Sequence, residues 1–183
     1  ITRDGVDWDP ADLVVDARGG EDLSRTSNVR RLLCTWDADN LYLGVTYQDF
    51  GDDEALKVYL DIDRGVGPND ATDLQGVPGN FLMPEDHRFE LILARSSLDG
   101  GDVFGGPPPA TYLVTDDDGT VAVVTDQVTA AQQANTGAKF PFWANAELAI
   151  PWAVIYPDQA GTVPPYAVIK AVAIAALSAP GGN

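Results

Sequence analysis

The chain has 183 residues, 45% of them hydrophobic, with 28 acidic against 11 basic side chains and a formal net charge of -17. That length fits one domain with a sizeable core, the scarcity of Lys and Arg argues against a nucleic-acid partner, and no apolar run approaches the roughly 20 residues of a membrane span. The acids are 23 Asp and only 5 Glu, beside 18 Gly and 13 Pro; Asp favours turns and caps where Glu favours helix, so the composition predicts an all-β chain with many loops.

In chain order, the opening "DGVDWDPAD" is an acidic loop carrying Asp4, Asp7, Asp9 and Asp12. "RLLCTW" (31 to 36) and "LYLGVTY" (41 to 47) are two strands separated by residues 37 to 40, a hairpin spacing. Cys34, the single cysteine, excludes an internal disulfide and reads as a small core residue. Trp36 ends an apolar strand and is assigned to the core, while Asp49 and Phe50 fall on the rim beyond the second strand. "ALKVYLDI" alternates so that Leu56, Val58, Leu60 and Ile62 face inward and Lys57, Tyr59, Asp61 and Asp63 face the other way.

Residues 64 to 86 show no strand pattern, and a connection of that length is often functional. "RFELILA" (88 to 94) places Phe89, Leu91 and Leu93 on one side of a strand, and "ATYLVT" and "TVAVVT" flank the turn "DDDG" at 116 to 119. "DQVTAAQQAN" and the residues after Pro151 offer room for a helical turn or two. "FPFW" (140 to 143) reads as a loop before the strand "AELAIPW", and "AVIKAVAIAAL" is the last strand. At least eight strands with no long helix between them predict a two-layer antiparallel β-sandwich of jelly-roll or immunoglobulin-like kind.

Catalytic chemistry has little to build on. His87 is the only histidine, so a Ser or Cys nucleophile lacks a choice of base. Met83 and His87 stand too close in one segment to clamp opposite faces of a haem. Glycoside hydrolysis needs two carboxylates about 5 to 10 Å apart, and among 28 acids some such pair arises by chance. Glu147, inside an apolar strand, is read as facing solvent or bonding a loop.

Calcium is the inorganic partner that the loops favour, because it takes six to eight oxygen ligands and Asp-rich loops supply them. "DIDRGVGPNDATD" carries Asp61, Asp63, Asn69, Asp70 and Asp73 at a strand end, though Val66 and Thr72 occupy places where an EF-hand needs Gly and Glu. Asp4 and Asp7 mark the second candidate loop. Sugars, whose apolar faces stack on aromatic rings, have Tyr59, Phe142 and Trp143 as candidate platforms, with Arg88, Asp49 and Phe50 beside them as polar and rim contacts.

Four pieces, "DGVDWDPAD", "WDADNLYLGV", "LKVYLDIDRGVG" and "AELAIPW" with a final strand ending in "GG", make the chain resemble the family-9 carbohydrate-binding modules and the related DOMON-like sandwiches, including the C-terminal modules of glucodextranase-type enzymes. The resemblance implies a non-catalytic module of a secreted or cell-surface protein that holds structural calcium. It does not carry over the paired Trp clamp of the sugar binders: Asp52, Asp53 and Glu54 stand where the first Trp is expected, and no Trp follows Trp152. The sequence is therefore read as one sandwich module over residues 1 to 183, part of a longer secreted protein, binding a polysaccharide or oligosaccharide beside neighbouring domains. A structural or adhesive module without sugar binding is the alternative, and a stand-alone glycoside hydrolase comes third.

Overall fold

A computed structural model describes residues 8–16, 28–48, 54–70, 82, 87–96, 110–134, 143–159, 161–165 and 167–177. Among them are ten strands: β1 (Leu13–Asp16), β2 (Asn28–Trp36), β3 (Asn40–Gln48), β4 (Glu54–Asp61), β5 (Leu91–Ser96), β6 (Ala110–Val114), β7 (Val121–Val123), β8 (Thr129–Ala134), β9 (Trp143–Pro151) and β10 (Lys170–Leu177). They form two five-stranded antiparallel sheets, β1-β2-β3-β9-β8 and β10-β4-β5-β6-β7. The chain changes sheet after β3, after β7 and after β9, so each sheet mixes early and late strands and neither can form without the other half of the sequence. Helical content among the described residues is a single turn, α1 (Trp152–Ile155), and three short 3-10 turns. None of these is long or apolar enough to cross a membrane.

Alternation decides what lies between the sheets. Leu32, Leu41, Leu43, Val45, Ala146, Leu148 and Ile150 from the first sheet meet Val58, Leu60, Leu91, Leu93 and Leu113 from the second in one buried cluster. Ile62 and, from α1, Trp152, Val154 and Ile155 belong to the same cluster. Within β3 every second residue points inward, as the pattern 41, 43, 45 predicts, because a one-residue slip would turn the whole apolar set to water. A second, smaller cluster of Tyr59, Phe89, Ile92 and Val114 sits on the opposite side of β4 and β5. Phe89 thus departs from the expected grouping with Leu91 and Leu93. It precedes β5, and its amide donates to the Pro68 carbonyl (2.9 Å), which takes it out of the strand's alternation.

Two stretches read differently as sequence. In "DQVTAAQQAN" the helical turn is confined to the 3-10 turn Thr125–Gln127, and "TAAQQA" is the edge strand β8, paired with β9 from Thr129↔Ala149 to Ala134↔Ala144. Its small and amide side chains carry little intrinsic signal for a strand, and pairing with β9 overrides propensity. Trp143 begins β9, opposite Gln48, rather than lying in a loop.

Cys34 packs against the main cluster, as expected of a core residue. Burial, with a smaller contribution from the Asp12 charge, pushes its thiol up to about 11. At pH 8 the thiolate fraction is then about two orders of magnitude below that of an ordinary cysteine near 8.5. Iodoacetamide labelling at pH 8 is expected to run about 100-fold slower in the native protein than in urea; equal rates would contradict the buried position.

Candidate functional site

The hairpin joining β2 and β3 is built by one carboxylate. Asp37 Oδ1 accepts from the amides of Asp39 (2.8 Å) and Asn40 (2.8 Å), and Oδ2 accepts from the Tyr42 hydroxyl (2.7 Å). That is an Asx turn, the local geometry for which Asp is selected at the start of a tight connection. The Tyr42 hydroxyl first, then the two amides, hold the Asp37 carboxyl below its usual range. The turn is also fastened to α1: Trp152 Nε1 donates to the Asp37 carbonyl (2.9 Å) and the Trp152 amide to the Asp39 carbonyl (3.0 Å). Trp152 is buried and stacks on Tyr156 with ring centroids 6.3 Å apart.

Trp36 corrects the sequence reading. It is 69% exposed, although it shares the inward register of Leu41, which is fully buried. β1 pairs only with residues 31 to 33 of β2, so no described strand flanks Trp36 on its outer side, and the core ends before reaching it. The result is an indole on the surface, next in sequence to the exposed Asp37 and close to the exposed Asp39.

Trp8 lies on the outer face of the first sheet, where its Nε1 donates to Glu147 Oε1 (3.1 Å). A Cβ on Gly44 would come within 2.9 Å of the indole, so the close approach needs glycine there. Glu147 does bond a loop, as one branch of the expectation held, but it does not face solvent: it is 6% exposed.

The acidic loop after β4 is organised from inside. Glu90, completely buried, accepts from the amides of Ile62 (2.7 Å) and Arg64 (3.0 Å) at Oε2 and from Val66 (3.1 Å) at Oε1. Burial pushes this carboxyl up, against the pull of the three amides. The Gly67 amide donates to Asp117 Oδ1 (3.0 Å) and Arg64 Nη1 to the Val114 carbonyl (2.7 Å), tying the loop to the β6–β7 turn. The buried Tyr156 hydroxyl donates to the Ile62 carbonyl (2.6 Å), and burial raises it to about 12.

Of the residues expected to hold a cation, Asp61 is buried and bonded to Lys170 Nζ (3.2 Å) and to the Asp63 amide (3.1 Å). Asp63 is exposed, with a left-handed φ of 60°. Asp70 is half-buried and bridges to Leu82. Among the described residues no group of three or more His, Cys, Asp or Glu side chains is gathered as a metal would require. Asp61 is thus engaged by a lysine, and the neighbouring Glu90 by amides. Asp4, Asp7 and Asp73 lie outside the described residues.

Of the sugar contacts, Tyr59 is 2% exposed, packed edge-on to Phe89 at 5.0 Å between centroids, so its ring offers no platform. It lies in the second sheet and Trp143 in the first. Arg88 is exposed just before β5. Asp49, Phe50 and Phe142 lie outside the described residues. Glu90 was missed as a site residue, yet it carried the same signal as Glu147, a lone acid inside the apolar run "FELILA". No protein-family model matches the chain, and no curated protein matches it.

Proposed function

We propose that the protein is a non-catalytic carbohydrate-binding module of a secreted or cell-surface protein. The observation that carries the reading is the exposed Trp36, 69% open to solvent as a residue, at a hairpin end anchored to the core. An indole face offers a sugar a large, rigid apolar contact at small entropic cost. The exposed Asp39 supplies carboxylate oxygens for sugar hydroxyls that donate, while Asp37 spends its own on the turn. Because Trp152 holds both Asp37 and Asp39 through their carbonyls, the platform is set before ligand arrives. No bond in the sugar breaks.

The charge around this platform and the net charge of -17 select against uronic or sulfated chains, which makes neutral glycans the ligand class. Affinity electrophoresis in gels containing neutral or acidic polysaccharides tests this: retardation is expected with at least one neutral glucan, mannan or xylan and none with alginate or heparin. Calcium, which the family resemblance implies, belongs in this proposal, with Asp4, Asp7 and Asp73 as candidate ligands. The second reading, a structural or adhesive module, is favoured by Val14 (54% exposed) and Val15 (49%) on the short edge strand β1; it gains if no glycan retards the protein.

A further inference from the structure

We infer that the loop after β4 is a carboxylate-binding nest, filled in cis by Glu90, and so an anion site rather than the cation site its acids suggest. The inference stands apart from the sugar reading and rests on the polarity of the backbone. Positive φ falls on alternate residues, Asp63 (60°), Gly65 (75°) and Gly67 (96°). Such alternation turns every second N–H to the same side, and the concavity that results attracts negative charge. The amides of Ile62, Arg64 and Val66 converge in this way on the two oxygens of Glu90, at 2.7 to 3.1 Å. The adjacent amide of Gly67, which falls outside this alternation, turns to a second carboxylate, Asp117.

A calcium loop has the opposite polarity, with carbonyl and carboxylate oxygens converging on the ion. Here hydrogens converge. The nearest acid of the loop, Asp61, turns its own oxygens to Lys170 and to the Asp63 amide, and its charge opposes that of Glu90 rather than sharing an ion with it. Glu90 is completely buried, and its side chain enters the loop from 24 to 28 residues further along the chain. Removing that carboxylate leaves three inward amides around a space sized for the carboxyl group of a small acid, so formate or acetate is the ligand class the empty nest takes.

The test is the thermal midpoint of Glu90→Ala, read in rising formate or acetate with chloride at matched ionic strength and, separately, in calcium. The variant is expected to melt about 5–10 °C below the parent, since buried amides are left unpaired in a protein of this size. Formate or acetate should recover part of that drop saturably, with no effect of chloride on the variant, no effect of formate on the parent, and any gain from calcium the same in parent and variant. A gain from calcium in the variant alone, equal gains from formate or acetate in parent and variant, or no recovery by either acid would each overturn the inference. Should Glu90→Ala not fold, Glu90→Gln decides: it keeps the volume but turns an NH2 group toward the amides, so a midpoint several degrees lower is expected, and one equal to the parent's overturns the nest.

Discussion

Alanine at Gly67 is expected to cost about 3 kcal/mol or more, among the largest losses a single methyl group can cause. Two effects add. With φ at 96°, Gly67 occupies backbone space that an L side chain disfavours by about 1–2 kcal/mol. A Cβ there would also stand 2.4 Å from the Phe89 carbonyl oxygen, a backbone atom that no rotamer change can move aside. Shifting that carbonyl means disturbing the Phe89 to Pro68 hydrogen bond and the Glu90 carboxylate next to it. Gly65→Ala is the control. Gly65 has a similar φ of 75°, but a Cβ added there would meet nothing within 4 Å, so only the conformational cost of about 1–2 kcal/mol is expected. Urea denaturation of both variants measures the difference; equal losses would show that the contact with Phe89 relaxes freely.

Trp152→Ala is expected to destabilise by about 3–5 kcal/mol, the range for emptying a large aromatic site in a core. For a domain stable by roughly 5–15 kcal/mol this removes about a fifth of the total or more. Besides the buried ring, the Asp37 carbonyl loses the indole donor at 2.9 Å. Trp152→Phe separates the two contributions. It keeps most of the stacking on Tyr156 and removes the indole N–H, with an expected loss of about 1–3 kcal/mol, of which a larger share is packing if the carbonyl finds water. The effect should reach the hairpin: in Trp152→Phe, amide exchange at Asp39 and Asn40 is expected to quicken. Unchanged exchange there would mean that the Asp37 carboxylate holds the turn alone.

How much of this was legible in the sequence follows from the reach of each signal. Alternation is local, so β3, β4 and the core-facing leucines could be read directly, as could the hairpins marked by Asp-rich turns. Strand order is not local. β8 looked unlike a strand because its residues gain from pairing with β9 rather than from their own propensity. Trp36 has the inward register the sequence assigns it, but whether an inward residue is buried depends on how far the neighbouring strand runs, and β1 is too short to cover it. The acidic loop shows the same limit: Asp61, Asp63, Asp70 and Asp73 in one short stretch suggested an ion, yet the group that shapes the loop is Glu90, brought in by sheet pairing between β4 and β5.

Calorimetric titration of the parent and Trp36→Ala with the same neutral oligosaccharide tests the proposal that Trp36 is a glycan platform. Trp36 is exposed, so its removal should shift stability by no more than about 0.5 kcal/mol. Saturable binding by the parent is expected to fall at least about tenfold in Trp36→Ala at an unchanged melting midpoint, in line with about 1.4 kcal/mol for a stacked ring. Undiminished affinity in Trp36→Ala, or a parent that binds no neutral glycan at all, would contradict it.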